Sequence, residues 1–135
     1  MKRITPKIIR ALKRNERFVF GSNLLGIHGT GSASSAHILF GAKWGVGEGP
    51  TGLCYAIPTK VSPYQRRDLG AIYTSINKFI KYAQDNPDLI FYVTPIGCLN
   101  AGFRPEQIAP LFEDALKLNN VYLPLTFVSI LDINS

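Results

Sequence analysis

The sequence predicts an α/β fold, a three-layer α/β/α sandwich around a mostly parallel central sheet. Three observations carry that expectation. Short apolar runs at residues 18–20, 53–59 and 89–94 each empty into a loop marked by glycine, proline or lysine. Between the second and third runs, Leu69, Ile72, Tyr73, Ile76, Phe79, Ile80 and Ala83 recur at intervals of three, one, three, three, one and three, the spacing of a helix with one buried face. Strands alternating with helices are joined by right-handed crossovers, which lay the helices on the sheet.

The chain opens with a basic arm. Residues 1–17 hold seven Lys/Arg (Lys2, Arg3, Lys7, Arg10, Lys13, Arg14, Arg17) and one Glu, whereas residues 18–135 hold eight charges of each sign, so the net +6 belongs entirely to the arm. Thr5-Pro6 has the form of a helix start, with Thr as N-cap and Pro in the first helical position. Ile8, Ile9, Ala11 and Leu12 supply an apolar face. The arm, residues 1–17, is therefore expected to be a helix docked on a single domain of residues 18–135, its cations either solvated or touching a polyanion.

The first strand is Phe18-Val19-Phe20, and a helix follows from Ser32 to Ala42. Gly45, Gly47, Gly49, Pro50 and Gly52 make a turn-rich connection into the strand at 53–59, which ends at Lys60. The long helix opens at Asp68 and is stopped by Asn86-Pro87-Asp88. The continuous apolar run from Leu89 to Val93 then has the composition of a central parallel strand. Ile108, Leu111, Phe112, Ala115 and Leu116 belong to a last helix that Pro110 shortens or kinks. After the turn at Asn119-Asn120 comes a strand at 121–123, and residues 127–133 complete the fold as a further short strand or a packed tail.

A chain of 135 residues, 46% of them hydrophobic, has room for one well-buried domain. No apolar run approaches the roughly 20 residues of a membrane helix. No apolar segment or cleavage site follows the basic start, so no secretory signal is expected and the cytoplasm is the expected location. Cys54 and Cys98 lack metal-ligand spacing and read as buried thiols, so neither a metal nor any other cofactor is expected.

If the three strands are parallel neighbours, their loops converge on one edge of the sheet, where ligands bind in α/β folds. In the first loop, Gly26, Gly29 and Gly31 remove side chains just before a helix whose free amides carry partial positive charge. The loop lacks the Lys-Ser/Thr of a P-loop, and Ser34 stands where a dinucleotide fingerprint has its third glycine. A phosphate cradle and a tight structural turn both fit it. Asn23 has an amide that reads a ribose or a base, and His28 a ring that bonds a phosphate or a hydroxyl; either can equally cap the turn. The third loop, residues 95–102, brings glycines and Asn100 to the same edge, with Phe103 placed to wall a sugar or base. Lys60 either points into water or, desolvated between phosphate loops, acts as a nucleophile toward a sugar C1″ or as a phosphate-binding cation. Glu48 is either a base or a solvated turn residue, and Phe40 and Trp44 read as core rather than as base-stacking platforms.

These residues together resemble the macro-domain superfamily of ADP-ribose-binding modules and ADP-ribosyl hydrolases. Ile96-Gly97-Cys98 is similar to the phosphate loop of the branch containing the terminal-ADP-ribose glycohydrolases and the antitoxins that remove ADP-ribose from DNA. Ile57-Pro58-Thr59-Lys60 resembles that branch's strand end with a catalytic lysine, and Gly29-Thr30-Gly31-Ser32-Ala33 its glycine loop. The phrasing around Phe20-Gly21-Ser22-Asn23 and Tyr55 to Lys60 also resembles a family common in phages and prophages. The resemblance implies ADP-ribose or a related NAD-derived nucleotide as ligand, free or attached to protein or nucleic acid. It makes Lys60 and Asn100 the candidate catalytic positions. Candidate binding residues are Gly21, Ser22, Asn23, Gly26, His28, Gly29, Thr30, Gly31 and Ser32 in the first loop, Thr59 beside Lys60, and Ile96, Gly97, Cys98, Leu99, Ala101, Gly102 and Phe103 in the third. Where some glycohydrolases carry an acid–base aspartate this chain has Leu99-Asn100-Ala101-Gly102, and the adenine-gripping aspartate near the first strand is not evident.

Overall fold

The computed structural model describes residues 2–134 and shows a mixed α/β fold with a mostly parallel sheet. Along the chain run β1 (Glu16–Asn23), α1 (Gly31–Phe40), β2 (Gly49–Thr51), β3 (Cys54–Ser62), β4 (Gln65–Arg66), α2 (Leu69–Asp85), β5 (Ile90–Val93), α3 (Pro105–Ile108) continuing into a 3₁₀ helix (Ala109–Lys117), β6 (Val121–Tyr122) and α4 (Leu125–Asn134). The sheet order is β2-β3-β1-β5-β6, with β4 folded back on the far end of β3. β1 pairs in parallel with both β3 and β5, and β5 with β6; β2 and β4 run antiparallel to β3. Among the described residues, no helix is long and apolar enough to cross a membrane.

Alternation along β1 divides the core. Phe18 and Phe20 point into a cluster with Cys54, Ala56 and the inward residues of α1, Ala33, Ala36 and Phe40. Val19 points the other way, with Tyr55, Ile57, Phe91 and Val93, into the cluster formed by α2, the 3₁₀ helix and α4. On α2, Ile72, Ile76, Phe79 and Ala83 are buried as the period requires, while Tyr73 is 44% exposed. Asp68 caps this helix by accepting from the Ala71 N–H at 2.8 Å.

Several expectations are corrected. Residues 6–14 form no helix. The Thr5 hydroxyl, expected to cap one, donates to the Val93 carbonyl at 2.8 Å, and the Thr5 N–H donates to Leu123 O at 2.8 Å. Ile4 bridges Leu123 in parallel, so the arm begins as an addition to the sheet edge beside β6. From there it runs as an extended strap whose Ile9 and Leu12 pack on the Phe18 cluster while Ile8 stays 65% exposed. Sheet pairing and packing override a local helix signal. β1 also begins earlier than expected and continues through Gly21, Ser22 and Asn23, because β3 offers it a partner as far as Lys60. The glycine-rich connection contains β2, paired with residues 54–56. The α-helix does end after its first turn, at Ile108, as Pro110 led one to expect, but the chain continues as a 3₁₀ helix from Ala109, and Leu116, expected inward, turns outward at 44% exposure.

The segment 127–133, expected as a strand or packed tail, lies in helix α4, whose first amides, those of Phe127 and Val128, donate to Pro124 O. Phe127, Val128 and Leu131 are buried at helical spacing. A short run this uniformly apolar has no period that separates helix from strand.

Candidate functional site

The parallel register brings the first loop, the end of β3 and the third loop to one edge of the sheet. A cleft of about 120 Å³ lies there, walled by Gly21, Asn23, Gly29, Thr30, Thr59, Lys60 and Asn100. A smaller one of about 70 Å³ adjoins it and shares Gly21, Thr59 and Asn100. The two loops touch. Gly31, at φ 62°, has no Cβ; one placed there would stand 2.5 Å from Asn100 Nδ2.

The start of α1 faces this cleft without a side-chain cap, since Thr30 in the N-cap position makes no such bond. Thr30 and Ala33 line the first cleft and Gly31 and Ser32 the second. A helix N-terminus left uncapped beside a cleft offers its amides and partial positive charge to an anion. In the third loop the Phe103 N–H donates to Gly97 O at 2.8 Å and closes the turn that carries Asn100.

Lys60 is half-buried on the cleft wall, with Nζ donating to Pro63 O at 3.3 Å. It stands opposite Arg66 across the β3–β4 pair, and the Arg66 guanidinium lies 4.3 Å above the Phe103 ring. Arg67 is engaged elsewhere, donating to Pro58 O at 2.8 Å and Ser75 Oγ at 2.9 Å.

Not every candidate reaches the cleft with its side chain free. Asn23 lines it, but its amide donates to Ile27 O at 2.9 Å and accepts from Ile27 N–H at 3.1 Å, closing the loop rather than reading a ribose. Ser22 donates to Gly47 O, and Thr59 to Ser22 O. Gly26 serves packing: at φ 69° it lies against the Gly45–Val46 backbone, where no Cβ fits. His28 is 2% exposed inside an aromatic group with Phe20 and Trp44, Nε2 donating to Lys43 O at 2.9 Å and Nδ1 without a partner. Phe103, Ile96 and Ala101 are buried, although Ile96 and Ala101 still back the smaller cleft. Gly97 and Leu99 line that cleft as well, and Leu99 is 83% exposed at its rim. Gly102 has open space around it. Trp44, read as core, is 57% exposed, whereas Phe40 is buried.

Burial pushes the Cys54 thiol up to about 12 and the half-buried Cys98 thiol to about 11, so both are protonated near neutrality and neither is a thiolate nucleophile. Glu48 keeps Oε2 buried without a partner and does not line the cleft.

Sequence reasoning missed the continuation of the cleft. Ser32, Thr94 and Pro95, beside the small cleft, also line a groove of about 280 Å³ under strap residues Pro6, Lys7, Ile8 and Ile9. Pro6, Lys7, Thr94 and Pro95 then line a groove of about 380 Å³ with Pro124, Leu125 and Thr126. A trench thus follows the carboxyl ends of β3, β1 and β5 from Lys60 to the start of α4. The signal for it was hidden because the strap reads as a helix. No protein-family model matches the chain, and no curated protein and no solved structure matches it.

Proposed function

We propose that the trench binds ADP-ribose or a related NAD-derived nucleotide, in a cytoplasmic protein whose fold is a macro-domain-like, three-layer α/β/α sandwich. The observation that carries the reading is the contact of the two glycine loops over an uncapped helix start, with Lys60 on the facing wall. Such a site suits a diphosphate between the loops and a sugar beside Lys60. The two small clefts are below the roughly 300–1,000 Å³ of a ligand pocket. The nucleoside half therefore extends along Thr94 and Pro95 under the strap, where the grooves are larger and lined by prolines, Leu125 and Lys7.

Hydrolysis of an ADP-ribosyl bond is the activity this arrangement would support, with Asn100 orienting the sugar. Either the neutral Lys60 amine attacks the anomeric carbon as the bond to the leaving group breaks and water then displaces the lysine to release ADP-ribose, or the lysine cation neutralises charge on the diphosphate and leaving group while water attacks. No carboxylate lines the clefts among the described residues, which favours a second reading, a module that binds the nucleotide and releases it unchanged. Calorimetric titration with ADP-ribose, with the ligand's fate followed by chromatography in the same sample, tests both. Saturable binding is expected under either reading; incubation with an ADP-ribosylated substrate then separates them, release of ADP-ribose selecting the hydrolase and intact recovery of that substrate after long incubation selecting the binding module. Absence of binding at millimolar ligand overturns the site.

A further inference from the structure

The strap packs through Ile9 and Leu12 on the sheet face that carries Phe18 and Phe20. Phe91, Val93 and Val121 point into the large core cluster, so Tyr92 and Tyr122, alternating with them, point to the opposite face. Both tyrosines are partly exposed, and their rings pack edge to face with centroids 5.2 Å apart. The Tyr92 hydroxyl donates to Glu16 Oε2 at 2.8 Å, which fixes that ring and engages the strap's one carboxylate, whose other oxygen accepts from the Lys13 N–H at 2.7 Å.

The strap borders this face with cations. Arg10, Lys13 and Arg14 are exposed and form no ion pair among the described residues. Arg17 donates to the carbonyls of Arg14 and Glu16, which holds the turn into β1 in place. With eight charges of each sign in residues 18–135, the net positive charge of the molecule belongs to residues 1–17, and Arg10, Lys13 and Arg14 are three of its seven cations.

We propose that this face is a binding surface for single-stranded nucleic acid, with bases stacking on the Tyr92–Tyr122 pair and the phosphate backbone following Arg10, Lys13 and Arg14. Stacking on aromatic rings is worth about 1–3 kcal/mol per base and is tolerant of sequence, and a row of cations tracks the backbone. A duplex offers its bases only at their edges and cannot engage the ring pair. None of Arg10, Lys13, Arg14, Tyr92 and Tyr122 lines the trench, so the proposal is tested by variants that leave the nucleotide site's own residues in place.

The test is fluorescence anisotropy with labelled fifteen-residue oligo(dT) and oligo(U), and a duplex of the same length, across a salt series. Single strands are expected to bind more tightly than the duplex, and a preference for oligo(dT) or oligo(U) assigns DNA or RNA. Replacing Arg10, Lys13 and Arg14 together by Gln should make the slope of log K against log salt shallower by about 2. Tyr122→Ser should weaken binding about 5- to 150-fold, while Tyr122→Phe keeps the ring and the affinity. Circular dichroism checks that each variant is folded, and ADP-ribose titration of the triple variant should be unchanged. Equal affinity for duplex and single strand, indifference to Tyr122→Ser in a folded variant, or no saturable binding at low salt would each overturn the proposal.

Discussion

The side-chain amide of Asn100 lies against the Cα of Gly31, so the third loop rests on the start of α1 where a Cβ would collide with Nδ2. Any side chain at position 31 must both adopt a left-handed backbone, at a cost of about 1–2 kcal/mol, and displace Asn100. Gly31→Ala is expected to lower the melting temperature by roughly 3–8 °C. It should also weaken ADP-ribose binding about tenfold by separating the loops. Unchanged affinity in calorimetry would dissociate the two loops from the ligand.

Lys60 is held near the hairpin turn by its bond to Pro63 O, a partner any solvated donor can replace. Lys60→Ala should therefore leave the fold intact and weaken ADP-ribose binding about tenfold, the scale of a lost charged hydrogen bond, while Lys60→Arg keeps most of it. Full affinity with hydrolysis abolished would instead assign the lysine to the chemical step.

Asn120 is 6% exposed, and its Nδ2 lies within hydrogen-bond distance of Ala83 O at 3.0 Å, Leu89 O at 3.1 Å and Asn86 O at 3.2 Å. One side chain thereby ties the end of α2 to the start of β5. Asn120→Ala leaves those carbonyls short of a donor, and a loss of about 2 kcal/mol is expected in urea unfolding. Asn120→Asp should cost more, since a carboxylate brings acceptors to acceptors. A stability loss smaller for Asp than for Ala would contradict this account.

Burial raises Cys54 and Tyr55 to about 12 and Cys98 to about 11, above their ordinary values of about 8.5 and 10. A native value above the unfolded one means that the unfolded chain loses protons first as pH rises. Their contribution is complete below about pH 8.5 and is lost between there and about 12. The urea midpoint is expected to be flat from pH 7 to 8.5 and to fall above pH 9. Reaction of both thiols with a disulfide reagent at pH 8 should be slower when folded than in urea; fast labelling of both thiols in the native protein would show that Cys54 is not sealed.

Much of the architecture was legible because it rests on local patterns. The spacing from Leu69 to Ala83 and the cap at Asp68 gave α2, and continuous apolar runs gave β3 and β5. The strap and α4 were not legible. Thr5-Pro6 carries a genuine helix-start pattern, and only its distant partners Val93 and Leu123 show why the pattern is unused. At the site, the convergence of Lys60, Gly31 and Asn100 followed from strand ends alone. The roles of Asn23 and His28 did not, because a side chain that closes a loop and one that reads a ligand have the same composition; only bonds to Ile27 and Lys43 distinguish them.

The bridge between Ile4 and Leu123 joins the first sheet segment to nearly the last. Residues so far apart meet only after a costly loop closure, and domains begin to fold from the amino end during synthesis. The start of the strap therefore has no edge partner until Leu123 has been synthesised, whereas Ile9 and Leu12 pack on a cluster completed by residue 56. Pairing of Ile4 with Leu123 is accordingly among the last contacts a growing chain can make, and a chain cut short before Leu123 has the core strands of the sheet without this edge closure.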